Sequence, residues 1–225
     1  MLTRGGCDVH RPPHQILGLW GDEKVIRELE KMCQDCNFNK SKALELIAKT
    51  DVNQEFERSK EPGFSYPTTL QAEAIDNCNI EMLKLLLDNG ADPNFIYDNT
   101  SELWGLQYDG GESVEKDEIR LQMAQMLLEY GANPNMNPDN EPEDLFQWVL
   151  YEMFEGPYDY LWKYRSRFFI LLVAFGGKTS YCIPQIVREF DKKEMKQYSF
   201  HHIRHEDGKY SGIICDKNNE TIAYI

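Results

Sequence analysis

Residues 80–94 decide the fold, and they read Ile80-Glu81-Met82-Leu83-Lys84-Leu85-Leu86-Leu87-Asp88-Asn89-Gly90-Ala91-Asp92-Pro93-Asn94. The second half of this stretch recurs 41 positions later, as Gln125-Met126-Leu127-Leu128-Glu129-Tyr130-Gly131-Ala132-Asn133-Pro134-Asn135. A degenerate copy, Leu46-Ile47-Ala48-Lys49-Thr50-Asp51-Val52-Asn53, lies 41 positions earlier. Repetition at a period of about 33 to 45 residues is typical of helical solenoids, which usually work by presenting a surface.

Each copy combines a buried helix with a sharp stop. The apolar residues between positions 80 and 87 cover more than one helical face, which indicates a helix packed between neighbours. Gly90 and Gly131 follow, at the point where helices commonly end in the left-handed conformation. Pro93 and Pro134 then prevent the helix from resuming.

These copies resemble the ankyrin repeat family. The matching segments are Leu85–Asn94 and Leu127–Asn135, and Thr68-Thr69-Leu70-Gln71 stands where the family has its Thr-Pro-Leu-His turn. The resemblance covers about residues 14–178, enough for four helix pairs, with residues 168–177 as a terminal copy. The spacing of 41 exceeds the family's usual 33, which implies an insertion in each unit. The resemblance implies a concave binding face lined by inner helices and finger loops.

The predicted fold is mainly α, an ankyrin-like helical solenoid of about four degenerate repeats over residues 14–180. A flexible segment, 1–13, precedes it. Helices are predicted over 15–33, 41–49 with Ser41 as N-cap, 69–76, 80–89, 101–107, 118–130, 144–154 and 160–175. Loops are predicted over 54–66, 108–117 and 138–142.

Residues 181–225 are predicted to form a C-terminal cap, a helix over 184–197 followed by an antiparallel β-meander. Its strands are predicted over 198–205, 210–215 and 221–225, and Asp207-Gly208 is typical of the first hairpin turn. A small sheet needs a surface to pack on, so it is expected to cover the last repeat.

The net charge of −14 is concentrated in the middle of the chain. Residues 102–159 carry 14 acidic residues but only two basic ones, Lys116 and Arg120. Such a field repels nucleic-acid phosphates and favours a basic protein partner. The alternative is that the acidic surface serves solubility alone.

The six cysteines are too few and too irregularly spaced for a disulfide scaffold. The N-terminus has no apolar segment of signal-peptide length, and the longest apolar run, 168–175, is too short to span a bilayer. The expectation is a reduced, cytoplasmic protein without membrane contact, a monomer rather than a homo-oligomer. An exposed edge strand in the C-terminal sheet keeps the homo-oligomer open as an alternative.

The candidates for chemistry are weak, so we predict neither an enzyme nor a metal or cofactor. Zinc would draw on Cys7, His10, His14, Cys33 and Cys36, but these are five ligand candidates in two groups separated by a predicted helix. His201, His202 and His205 are interpreted as strand residues. Nucleophile and phosphate-loop signatures are lacking, and Gly176-Gly177-Lys178-Thr179 is interpreted as a helix stop.

The predicted function is therefore a non-catalytic protein–protein interaction module with a basic protein partner. The proposed aromatic anchors are Tyr97, Trp104, Tyr108, Trp148 and Tyr151, because Trp and Tyr supply much of the energy of protein interfaces. The proposed acidic rim consists of Glu112, Glu115, Asp117, Glu141 and Glu143. One alternative is an inhibitor or immunity-type protein that neutralises one basic target. A second is a zinc-dependent or homo-oligomeric protein.

Overall fold

The computed structural model describes residues 23–61, 64–97, 100–106, 113–136, 145, 148–149, 162–177, 198–204, 210–216 and 221–224. These residues are mostly helical, with small antiparallel sheets. The helices are α1 (Glu23–Cys33), α2 (Lys40–Ile47), α3 (Leu70–Asp76), α4 (Ile80–Asp88), α5 (Glu102–Leu106), α6 (Val114–Glu129) and α7 (Trp162–Ala174). The strands are β1 (Phe56–Glu61), β2 (Phe64–Thr68), β3 (Ile96–Tyr97), β4 (Thr100–Ser101), β5 (Tyr198–Arg204), β6 (Tyr210–Asp216) and β7 (Thr221–Tyr224). Leu145, Trp148 and Val149 are also helical.

The helices form two rows with the hydrophobic core between them. The inner row is α1, α3 and α5, each in contact with the next, and the outer row is α2, α4, α6 and α7. Helices α1 and α2, α3 and α4, and α5 and α6 pack as pairs. Buried side chains of both rows, such as Leu29, Leu70, Leu86 and Leu127, belong to one continuous apolar cluster. Each pair therefore buries its apolar surface partly against the next pair.

Three outer helices end in the same way, at a glycine in the left-handed conformation. The φ angles of Gly90, Gly131 and Gly176 are +92°, +96° and +90°. At Gly131 the next amide, that of Ala132, donates to the carbonyl of Leu127, 2.9 Å away, which satisfies a carbonyl that the helix end leaves free. The predicted glycine stops are confirmed.

An asparagine bridge joins each glycine stop to the preceding pair. Asn94 donates its side-chain amide to the carbonyl of Gly131 at 2.9 Å and accepts the amide of Asn133 at 2.7 Å. Asn53 makes the same two bonds to Gly90 and Asp92, at 3.1 and 2.7 Å. Asn135 donates to the carbonyl of Gly176 at 3.1 Å. The degenerate copy at 46–53 therefore makes the same contact to the next helix pair as the two stronger copies.

Side-chain caps begin most of the described helices, and two predicted helix starts are wrong. Helix α2 is capped by Asn39, which accepts the amide of Lys42 at 3.0 Å, and not by Ser41. Helix α6 begins at Val114 behind the cap of Ser113, so residues 114–117, predicted to lie in a loop, form its first turn. The acidic side chains in that turn favour helix because they lie near its positive end.

Asn79 caps α4 and also fastens it to the preceding pair. Its side chain accepts the amide of Met82 and donates to the carbonyls of Met32, Cys33 and Asp35, at 3.1 to 3.2 Å. The neighbouring Cys78 has a φ of +52°, a conformation that glycine adopts at less cost.

Two hairpins precede inner helices. Strands β1 and β2 pair antiparallel, from Phe56 opposite Thr68 to Glu61 opposite Phe64, so the segment predicted as a finger or loop over 54–66 is largely a paired hairpin. Strands β3 and β4 pair Ile96 with Ser101 and Tyr97 with Thr100, and β4 runs directly into α5. Each hairpin therefore places its strands next to the inner row.

The predicted meander is confirmed in its described strands. Strands β5, β6 and β7 form one antiparallel sheet in that order, with Phe200 opposite Ile214 and Ile214 opposite Ala223. Strand β7 contacts α7, so the sheet lies beside the last described outer helix. The predicted segments 1–13, 138–142 and 184–197 lie outside the described residues.

A first prediction concerns the glycine stops. Gly131→Ala should lower the free energy of unfolding by about 1 kcal/mol, because the added Cβ is disfavoured at positive φ. The new Cβ would meet no atom within 4 Å, so the loss comes from the backbone alone. Urea denaturation measures it.

Gly105→Ala is the matched control, because Gly105 is helical and an added Cβ there also meets no atom within 4 Å. It should stabilise the protein by about 0.5 kcal/mol, since alanine favours helix. Equal effects of the two substitutions would contradict the role assigned to Gly131.

Candidate protein-binding surface

Two of the sequence-predicted anchors lie against each other, and one of them is on a helix of the inner row. The ring centroids of Trp104, on α5, and Trp148, in the helical segment that follows α6, lie 6.4 Å apart, with an interplanar angle of 32°. Both side chains are half-buried. A tilted aromatic pair at this distance attracts through its ring edges and faces and still leaves part of each ring accessible to a partner. We call these two residues the tryptophan pair.

The position of Trp104 is set at both ends of its short helix. At the start, the hydroxyl of Ser101 accepts the amide of Trp104 at 3.3 Å, and the buried Glu102 accepts the hydroxyl of Thr69 at 2.9 Å. At the end, the hydroxyl of Tyr164, on α7, donates to the carbonyl of Leu106 at 2.7 Å. These contacts hold Trp104 on a rigid support, as a binding anchor requires.

The β3–β4 hairpin places a further aromatic residue on the same structural unit. Tyr97 is half-buried, and its neighbour Ile96 is 42% exposed. Because β4 runs directly into α5, this hairpin and Trp104 are connected without an intervening loop. Beside Trp104, the space around Gly105 is open, since an added Cβ would meet nothing within 4 Å.

The structure places two of the predicted acidic residues elsewhere. Glu115 and Asp117 lie in the first turn of α6, an outer helix. Asp117 borders a small cavity together with Val114, Tyr164 and Arg167, on the side of α6 that faces α7. These carboxylates therefore do not line the tryptophan pair. Tyr108, Glu112, Glu141, Glu143 and Tyr151 lie outside the described residues.

Sequence reasoning missed a charged cluster between the β1–β2 hairpin and helix α3. The guanidinium of Arg58, on β1, lies 2.8 Å from Glu73 and 3.1 Å from Asp76, both on α3. The side chain of Glu73 is completely buried and that of Arg58 is 16% exposed, whereas Asp76 is 50% exposed. A signal was present, because Glu73 interrupts the otherwise uncharged stretch Leu70–Ile75, all of which is buried.

Burial perturbs the protonation of this cluster. Desolvation raises the pKa of Glu73, Arg58 opposes the rise, and the charges of Asp76 and Glu30 add to it, while the amide of Gln34 lowers it slightly. For Arg58, burial disfavours the charge, but Glu73, Tyr66 and Asp76 together raise the pKa of the guanidinium above its ordinary value. In this pair Arg58 therefore stays charged, and Glu73 is the group that titrates.

Cys33 and Cys36, two of the zinc candidates, have different environments. Cys33 is fully buried, and its thiol donates to the carbonyl of Leu70 at 3.5 Å. Burial, with the nearby charges of Glu73 and Glu30, strongly raises the pKa of this thiol, so the free thiol is protonated at neutral pH. Cys36 is exposed. In the part of the chain that the structure describes, no group of three or more His, Cys, Asp or Glu side chains is placed to hold a metal ion.

Most of the other candidate metal-binding or catalytic residues lie outside the described residues. Cys7, His10, His14 and His205 lie outside the described residues. His201 and His202 are in β5, opposite Ile213 and Gly212.

A groove of about 210 Å³ lies between the outer helices α6 and α7. Arg167 and Glu118 form a bidentate ion pair at this groove, with one of the two distances 2.8 Å. The remaining lining residues are Leu121, Gln122, Gln125, Ile170 and Leu171.

The chain was compared with protein-family models and with curated proteins, and neither comparison gave a match. Across the described residues, none of the helices combines the length and the apolar character that crossing a membrane requires.

A second prediction follows from the raised pKa of Glu73. The native state holds this proton more tightly than the unfolded chain, so deprotonation costs native stability as the pH rises from the ordinary value of 4.5 through the raised native value. Glutamine does not titrate. Relative to the wild type, Glu73→Gln should therefore gain unfolding free energy as the pH rises over that interval. Urea denaturation between acidic and neutral pH measures this difference.

Glu45→Gln is the control with the opposite sign. Hydrogen bonding to Lys49, with the charges of Lys42 and Lys49, lowers the pKa of Glu45, which is fully exposed. The contribution of Glu45 to the unfolding free energy is present above pH 4.5 and is lost as the pH falls through the lowered native pKa. Parallel profiles for the two variants would contradict the environment assigned to Glu73.

Proposed function

We propose that this chain is a non-catalytic protein-binding module, an ankyrin-like solenoid whose inner face binds a basic segment of another protein. Its C-terminal helix and meander would cap the last repeat, and the chain would act in the cytoplasm. The observation that carries the proposal is the tryptophan pair, two large aromatic side chains held half-buried on the inner side by a rigid framework.

The repeated framework supports the solenoid part of the proposal. Asn53 and Asn94 make equivalent bonds to the glycine stop of the following pair, and Asn135 repeats the bond to a glycine carbonyl. A chain built from such units exposes one long face of inner helices, which is suited to binding an extended partner.

The charge distribution supports a basic partner. Residues 102–159 contain the tryptophan pair and carry 14 acidic residues against two basic ones. Aromatic rings attract cations over their faces, so lysine or arginine side chains are suited to the tryptophan pair. The surrounding negative field would accelerate the approach of a basic segment.

A third prediction tests the anchors. Affinity capture from native lysate, at low and moderate salt and read by mass spectrometry, should recover a dominant basic protein that is lost as salt rises. Trp104→Ala and Trp148→Ala should each weaken its binding about thirty-fold, the loss expected for a central aromatic anchor.

Phe175→Ala is the matched control, because Phe175 is a 37% exposed aromatic residue just beyond the end of the outer helix α7. It should leave partner affinity unchanged. Equal binding by the tryptophan variants and the wild type, with all three variants folded, would refute the proposed face.

A fourth prediction tests electrostatic steering. Reversing Glu112, Glu115 and Asp117 to lysine should lower the association rate at low salt by about tenfold and flatten its salt dependence. The rate constants are measured by stopped-flow mixing with the captured partner.

The control triplet is Glu23→Lys, Glu55→Lys and Glu57→Lys, which changes the net charge equally at exposed positions outside residues 102–159. Glu23 also lies in a first helical turn, so both triplets carry a similar cost at a helix start. An equal loss of rate in both triplets would show that only net charge matters.

A further inference from the structure

The β1–β2 hairpin lies against two inner helices, and its attachments to them include two arginine side chains. Arg27, on α1, donates to the carbonyl of Glu57 at 2.8 Å, and its guanidinium lies 5.9 Å from the ring centroid of Phe56. Arg58 reaches from the hairpin to α3. The hairpin therefore lies against α1 and α3, and α3 in turn contacts α5, the helix that carries Trp104.

The position that Arg58 occupies has the chemistry of a guanidinium site. Two carboxylates, those of Glu73 and Asp76, face the same guanidinium at 2.8 and 3.1 Å. One oxygen of the completely buried Glu73, Oε1, lies 2.8 Å from the Arg58 guanidinium and 3.5 Å from the Thr68 hydroxyl, which donates to it. Both contacts are made by one guanidinium nitrogen, Nη1 of Arg58. A guanidinium is more weakly hydrated than an ammonium group, so it is better suited to a position beside the buried carboxylate of Glu73.

The contacts that hold the hairpin on the helices can be replaced by contacts with a partner. A two-stranded hairpin is marginally stable by itself, so its place on the helices depends on these side-chain contacts and on the packing of Phe56 against the apolar core. A buried ion pair gains little net stability, because desolvation of both charges offsets their attraction. Asp76, half exposed, lies at the solvent side of the site, where an incoming side chain would first arrive.

We propose that the β1–β2 hairpin is a displaceable strap. Arg58 occupies an arginine-binding position formed by Glu73 and Asp76, and an arginine of the partner takes this position on binding. This inference rests on the proposed function, since it requires a basic partner at the inner face. It adds that the partner segment is arginine-rich and extends from the tryptophan pair to α3.

The test is a titration with an oligoarginine peptide and, separately, an oligolysine peptide of the same length. Arg58→Ala removes the internal competitor and should raise the affinity for oligoarginine about tenfold, as expected when a largely closed site becomes fully available. The affinity for oligolysine should change much less. Arg58→Lys is the conservative control, with a smaller gain than Arg58→Ala because its charge still reaches the carboxylates.

Displacement itself is measured in the wild-type protein by hydrogen exchange, which does not require a stable Arg58 variant. Bound oligoarginine should accelerate exchange of the amides in Phe56–Glu61 and Phe64–Thr68, and leave those of α6 unchanged. An unchanged hairpin with bound peptide, or a folded Arg58→Ala protein without increased affinity, would overturn the strap.

Failure of the strap and failure of the proposed function give different results. If Trp104→Ala and Trp148→Ala weaken oligoarginine binding but the Arg58 variants and the hairpin exchange do not respond, the inner face stands and the strap is wrong. If the tryptophan variants bind the peptide as the wild type does, the proposed face is wrong as well.

Discussion

The rest of the described structure depends on the asparagine bridge that joins one helix pair to the next. A helix that ends at a left-handed glycine leaves carbonyl groups without helical partners, and the carbonyl of that glycine is one of the groups that a neighbour must satisfy. Asn53, Asn94 and Asn135 each supply this partner from the preceding unit. Because Asn94 also accepts the amide of Asn133, it fixes the distance and the orientation between successive pairs. The inner helices are therefore aligned by contacts made at their outer partners' ends.

This alignment gives the inner row two chemically different parts. Around α1 and α3, arginine and carboxylate side chains attach the β1–β2 hairpin, and Glu73 is buried beneath it. Around α5, aromatic side chains predominate instead: Trp104 packs against Trp148, and Tyr97 lies on the adjoining hairpin. A basic segment that lies along the row would meet aromatic faces at one part and carboxylates at the other, and both attract cations.

Charge and contact have separate roles in such an interface. Glu115 and Asp117 begin an outer helix, where they stabilise the helix start and contribute to the negative field of residues 102–159. Charges that act at a distance change mainly the association rate and its salt dependence. Anchors that are partly buried before binding, such as the tryptophan pair, change mainly the dissociation rate, because they lose little conformational entropy when the partner covers them.

The helices, their glycine stops and the strands of the meander could be predicted from the sequence, because they follow from local rules: apolar periodicity, left-handed φ at glycine and alternation in strands. Local rules failed at Ser41 and at residue 118, since the cap that forms depends on which side chain reaches the free amides, and Asn39 and Ser113 do. The candidate anchors Trp104 and Trp148 were visible as residue types, but their contact joins positions 44 residues apart. The Arg58–Glu73 pair was not visible, because a glutamate within a buried helix has meaning only when the hairpin folds back onto it. Only the tertiary structure decided these pairings, because they depend on how successive units pack and not on the residues next to each position.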